Sequence, residues 1–162
     1  MRFYVGTSGY SYKEWKGHFY PDKRPDKKML AYYAEHFSAV EINSTLRRFP
    51  TVSTVEGWAE QVPESFRFVL KARQTITHFR RLQNAEEQTD DFINVASLLK
   101  QHQGPLLFQL PPNFKKRRPA ARCFLELCRQ SGGRRASVAT RKLVRQRSLQ
   151  LSLRSFSGDL LR

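Results

Sequence analysis

Ala39-Val40-Glu41-Ile42-Asn43-Ser44-Thr45 sets one carboxylate inside an apolar run and then ends that run in three small polar residues. A short, β-rich, apolar stretch of this kind reads as a buried strand, and its polar end as the point where the chain leaves the sheet. On its N-terminal side Asp26 can cap a helix from about Lys27 to Phe37, because Met29-Leu30, Tyr32-Tyr33, Ala34 and Phe37 recur at helical spacing. Before that helix, Arg2–Val5 reads as a short strand closing in the glycine-flanked turn Gly6-Thr7-Ser8-Gly9. On its C-terminal side, Thr51 or Ser53 can cap a helix through Val55, Trp58 and Val62 that stops near Pro63. Phe66–Lys71 is then a third strand. Asp90 or Asp91 opens a third helix through Phe92, Ile93, Val95, Ala96, Leu98 and Leu99, ended by Gly104. Pro105–Gln109 is a fourth strand, halted by Pro111-Pro112, and a fourth helix is expected around Arg122–Cys128. The order β-α-β-α-β-α-β is the pattern of an α/β fold with a parallel sheet. Right-handed crossovers leave two architectures, a doubly wound sheet or part of a barrel.

Charge divides the 162 residues unevenly. Lys115–Arg162 holds 14 of the 29 Lys and Arg but two acidic residues, Glu126 and Asp159, a net of +12. The first 114 residues hold 15 basic and 12 acidic side chains, a net of +3, together with 18 of the 20 aromatics. A core therefore belongs to the first part, and the high isoelectric point to the second. Cys123 and Cys128 have neither a second cysteine pair nor nearby histidines, so the cysteines suggest neither a metal site nor a disulfide framework. The N-terminus lacks the apolar stretch of a signal peptide, and no run approaches the ~18 apolar residues of a membrane helix. The expectation is a cytoplasmic, reduced protein with no membrane partner.

Several motifs carry a family resemblance: Gly6-Thr7-Ser8-Gly9-Tyr10-Ser11-Tyr12, Trp15, Phe19-Tyr20-Pro21, Val40-Glu41-Ile42-Asn43-Ser44-Thr45, Lys71, Thr77-His78, Leu82 and Gln109-Leu110-Pro111-Pro112. Across residues 2–116 they resemble the YecE-like family, domain of unknown function seventy-two. Leu46-Arg47 stands where that family has Phe-Tyr. The resemblance implies a TIM-type (β/α) barrel, of which residues 1–116 would supply the N-terminal four βα units. Residues 117–162 then read as a basic tail, disordered or non-native. The family's next landmark, Arg-His-x-Ser-Trp-Phe, is missing. Yet synonymous codons exist for Ala139–Gln146 that, read one base later, give Arg-His-Glu-Ser-Trp-Phe-Asp. The expectation is a frameshift between about Lys115 and Val138 and a fragment of a longer barrel.

In such a barrel the working residues sit at the C-terminal ends of the strands. The catalytic candidates there are Glu41, Lys71 and His78; the ligand-binding candidates are Thr7, Ser8, Tyr10, Tyr12, Asn43, Ser44 and Gln109. Glu41, in an apolar strand, needs a partner to offset its desolvation, so with Lys71 it is either a tuned acid/base or a structural ion pair. Asn43 suits the orienting of a ligand or loop. Gly6-Thr7-Ser8-Gly9 could cradle a phosphate on backbone N–H groups, but it lacks the Walker lysine and the dinucleotide fingerprint, and a plain tight turn is as good a reading. His78 is either a general base or a loop-packing residue. Tyr10, Tyr12, Trp15 and Tyr20 either line a pocket or cover the barrel mouth. Four scattered histidines with no carboxylate at ligand spacing argue against a metal site.

Two function classes follow. One is a barrel enzyme whose substrate is phosphorylated or a nucleic acid, since Arg47, Arg48, Lys71, Arg73, Arg80 and Arg81 fall near the strand ends. The other is non-enzymatic, salt-sensitive nucleic-acid binding through the basic tail. No cofactor follows from either. Half a barrel would also leave open sheet edges, which favour edge-to-edge self-association, an expectation that a monomer with a cooperative thermal transition would contradict.

Overall fold

Among the described residues, five parallel strands follow one another across a single sheet in chain order, β1 (Gly6–Ser8), β2 (Ala39–Ile42), β3 (Arg67–Lys71), β4 (Gln103–Leu110) and β5 (Ala136–Thr140). The computed structural model describes residues 3–112, Phe114, Phe124, Cys128 and the backbone of Ala136–Thr140. Three helices connect the first four strands: α1 (Met29–His36), α2 (Val52–Ala59) and α3 (Glu86–Ser97). A doubly wound sheet reverses its strand order at a switch point. This order never reverses, and right-handed crossovers taken always in one direction put every helix on the same face.

The packing bears that out. Trp58 of α2 lies 6.0 Å from Phe68, Phe92 of α3 lies 5.6 Å from Phe108, and Tyr33 of α1 lies 6.3 Å from Phe66. Val40, Ile42, Phe68, Leu70, Leu106, Phe108 and Leu110 supply the strand side of this core. Along β4 burial alternates without a break. Gly104, Leu106, Phe108 and Leu110 are buried, while Gln103, Pro105, Leu107 and Gln109 are half-buried. A period of two places successive side chains on opposite faces of the sheet. One face therefore carries the core, and the other bears Ser8, Glu41, Lys71 and Gln109.

Several boundaries differ from the sequence reading. The first strand is Gly6–Ser8 rather than Arg2–Val5. A Cβ on Gly6 would lie 1.8 Å from the Ala39 carbonyl oxygen, so glycine serves close approach here and only Gly9, at φ +88°, turns the chain. Thr51 is the cap of α2, its hydroxyl accepting from the Thr54 N–H at 3.3 Å. Asp26 caps nothing; it starts a 3-10 turn and pairs with Lys16 at 2.7 Å, which holds its carboxyl below the usual range. Asp90 and Asp91 lie inside α3, whose first turn carries Glu86 and Glu87, where the helix dipole favours negative charge.

Beyond residue 116 the structure adds β5, paired with β4 from Leu106↔Ala136 to Leu110↔Thr140, where four strands and a tail were expected. Phe124 and Cys128 are helical and buried, and the Phe124 ring meets Phe108 edge-on at 4.9 Å. Burial, then the Asp90 carboxylate, pushes the Cys128 thiol up to about 12. Cys123 and the remainder of the basic segment lie outside the described residues. Among the described residues no helix is long and apolar enough to cross a membrane.

Candidate functional site

The C-terminal ends of β1 and β2 bring Ser8, Glu41 and Asn43 into one hydrogen-bonded chain. Ser8 and Glu41 are register partners, so their side chains leave the same face of adjacent strands. The Asn43 amide donates to Ser8 Oγ at 2.7 Å, and Ser8 Oγ donates to Glu41 Oε1 at 3.0 Å. The backbone is tied at the same place, because Gly9 N–H donates to the Glu41 carbonyl at 2.8 Å and the Tyr12 hydroxyl donates to the Ser8 carbonyl. Ser8 is exposed and Glu41 and Asn43 are half-buried, so this chain is open to a ligand. Among the described residues no donor reaches Glu41 Oε2, and a carboxylate has about four lone-pair sites, so it can accept from a ligand.

Glu41 was expected to meet Lys71. Among the described residues no ion pair joins them within 4.0 Å, and the carboxylate is held by the serine hydroxyl instead. The two remain on the same face, Glu41 opposite Val69 and Lys71 two residues further along β3. Gln109 shares that face on β4, half-buried.

Thr7 faces the other way. Its hydroxyl bonds the Gly9 carbonyl at 2.6 Å and the Tyr33 hydroxyl at 2.9 Å, and its N–H donates to Tyr33 Oη at 2.7 Å. The Thr7 and Gly9 amides are both committed, which leaves a phosphate cradle on Gly6–Gly9 without two of its N–H groups. Tyr20 is 1% exposed and donates to the Tyr10 carbonyl at 2.6 Å, so it belongs to the core. Tyr10 is half-buried, and burial raises its phenol. Trp15 meets Tyr12 at 4.9 Å with the rings tilted and stacks on Tyr20 at 6.2 Å. Of this aromatic cluster, Tyr12 is the member that touches the polar chain. Ser44 is exposed at the start of a 3-10 turn.

After β3 the chain makes a π-helical turn, Thr75–Phe79, a rare geometry frequent at functional sites. Arg81, Leu82 and Asn84 follow with φ of 51°, 66° and 46°. A buried leucine in the left-handed region costs roughly 1–2 kcal/mol. His78 on this turn is half-buried, and burial, then the Lys71 charge, lowers its pKa below the ordinary histidine value. Arg73 lays its guanidinium over the Phe49 ring at 4.8 Å, while Arg47, Arg48, Arg80 and Arg81 are exposed. No group of three or more metal-ligating side chains occurs among the described residues.

Three more residues build the site, of which sequence reading named Thr45 and Thr77 in the strand-end motifs without a role and missed Tyr33. Tyr33 looked like one more apolar residue of the α1 stripe, yet its hydroxyl also donates to the Ala39 carbonyl at 3.1 Å and locks β1 to β2. Thr45 is buried and its hydroxyl reaches the carbonyls of Ile42 at 3.0 Å and Lys71 at 2.7 Å, joining the ends of β2 and β3. Thr77 holds His78. A cleft of about 410 Å³ between Val5, His36, Ser38, Pro63 and Phe66 lies at the opposite end of the strands, away from these groups.

Known proteins share this arrangement of elements. The family described as "Protein of unknown function DUF72" matches residues 4–143, further than the motifs at 2–116. YecE of Escherichia coli K12 is 33% identical over 124 residues, 76% of this chain and 43% of that protein. YunF of Bacillus subtilis is 31% identical over 140 residues, 80% of this chain and 47% of that protein. The crystal structure of a DUF72 family protein from Thermotoga maritima superposes with a TM-score of 0.72 at 29% identity, covering 87% of this chain and 56% of that one. The chain thus spans about half the length of the relatives it matches. On sequence and structure together, it belongs to the YecE-like DUF72 family.

Proposed function

We propose that the sheet is the N-terminal part of a (β/α) barrel, and that the barrel is an enzyme whose site lies at the C-terminal strand ends. The hydrogen-bonded chain Asn43 to Ser8 to Glu41 carries this reading. Three polar side chains spend their hydrogen bonds on one another at the end of two adjacent strands, where a barrel keeps its chemistry. Lys71 and Gln109 on the same face, and the arginines around it, suit a phosphorylated or nucleic-acid substrate.

The test is binding of a panel of sugar phosphates, nucleotides and short single-stranded oligonucleotides to the wild-type chain and to Glu41→Gln. Glutamine keeps an acceptor for Ser8 but removes the charge. For a ligand that donates to Glu41, the expected loss is about 10- to 100-fold in affinity, the worth of a charge-assisted hydrogen bond. Equal affinities for every panel member that binds would sink the assignment of Glu41.

We further infer that the basic segment conceals a change of reading frame. A shift between about Lys115 and Val138 would be followed, from Ala139 on, by the alternative reading Arg-His-Glu-Ser-Trp-Phe-Asp, the landmark that the resemblance leads one to expect there. Sequencing the gene from codon 110 to about 300 bases past the stop tests this. An open frame continuing from that motif is the expected result. A closed one makes the basic segment authentic, and nucleic-acid binding through it then becomes the leading reading.

A further inference from the structure

The Thr77 hydroxyl stands between the Arg73 carbonyl and the ring of His78. The Thr77 hydroxyl has one hydrogen and lies 3.1 Å from the Arg73 carbonyl, which can only accept and which the Ile76 and Thr77 N–H groups also reach, at 3.1 and 3.2 Å. Toward His78 Nδ1, 2.9 Å away, that same oxygen is then left to accept. With the hydroxyl hydrogen spent on that carbonyl, Nδ1 carries the imidazole hydrogen and the lone pair of the neutral ring sits on Nε2. No hydrogen-bond partner for Nε2 occurs among the described residues, and the ring is only half-buried. Thr77 itself is fully buried, so the pin is shielded from water.

The surroundings keep that lone pair free. Lys71 at the end of β3 faces the imidazole with like charge and, after burial, lowers its proton affinity. The turn packs against β4, which bears no charged side chain, and α3, which bears Glu86, Glu87, Asp90 and Asp91. None of those carboxylates pairs with His78 within 4.0 Å among the described residues. Arg73 stacks over Phe49, and Arg80 is engaged with the Asn84 carbonyl.

We propose that His78 is a general base of the strand-end site, offering Nε2 to an acidic proton of the ligand while the Lys71 ammonium receives the charge left behind. The proposal rests on the strand-end reading above and gives that site its proton acceptor. The ligand class is one with an ionisable O–H, or a C–H beside a carbonyl, whose conjugate base keeps its charge on oxygen. The proton passes to Nε2 and makes an imidazolium. The electron pair of the broken bond stays on the ligand beside Lys71. Nδ1–H remains on Thr77 throughout, so the ring does not turn over during the transfer.

Nitrogen-15 NMR of the imidazoles in the full chain, across a pH titration, reads the tautomer in the free protein. It therefore stands or falls apart from whether Glu41, Ser8 and Asn43 bind anything, which the Glu41→Gln comparison decides. Wild type should show His78 as the Nδ1–H tautomer, titrating below an ordinary histidine. Thr77→Ser should retain that tautomer, Thr77→Val should lose its predominance, and Lys71→Met should move the titration upward. A predominant Nε2–H tautomer in wild type overturns the proposal. So does a titration indifferent to Lys71→Met, which leaves the ring's fold contacts untouched.

Discussion

Gly6→Ala is expected to separate β1 from the sheet, at a cost of about 3 kcal/mol or more, the upper end of what overpacking costs. The added carbon would lie 1.8 Å from the Ala39 carbonyl oxygen and 2.6 Å from its carbonyl carbon. Both are backbone atoms of β2, so no rotamer change can make room. The same substitution at Gly57, where a Cβ would meet nothing within 4 Å, should instead stabilise α2 by about 0.5–1 kcal/mol through helix propensity. Urea unfolding of both variants beside wild type gives the two numbers. Equal effects would mean that β1 is not seated against β2 as described.

Phe68→Ala should cost about 3–5 kcal/mol, against a total stability of about 5–15 kcal/mol for an ordinary domain. Phe68 is fully buried on β3, 5.2 Å from the ring of Phe66 and 6.0 Å from that of Trp58. It is thus the point where α2 meets the sheet, and the cavity would open between two rigid layers that cannot collapse into it. The midpoint of urea unfolding should fall with little change in slope. A loss below about 1 kcal/mol would show that α2 is not packed on the sheet through this ring.

Much of the architecture could be read from the sequence because apolar periodicity reports which face is covered. Phe66–Lys71 and the stripe of α1 are examples, with boundaries correct to one or two residues. Reading failed where a residue did the opposite of its propensity. Gly6 is in a strand because only a missing side chain fits beside Ala39. Asp90 looked like a cap, yet it lies inside α3, because Ala85 takes the cap position without a side-chain bond. Of the candidate site, position was legible and partnership was not. Glu41 and Lys71 were each found, but the partner of Glu41 is a serine two strands away from Lys71. Thr77 was named beside His78, but its role was not legible, since it depends on a hydroxyl shared between a carbonyl and a ring.

The unbroken burial alternation of β4 has a consequence for how this chain would be controlled. The half-covered residues of the sheet and the polar strand-end residues occupy one and the same face, with Leu107 beside Lys71 and Gln109 beyond it. Whatever covers that face dries the site at the same moment, strengthening every electrostatic contact in it. If the strand-end site is the one proposed above, covering of that face and arming of the site are one transition with one equilibrium constant. On that reading, a mutation that loosens whatever covers the face would weaken ligand binding at the site without touching any residue in it.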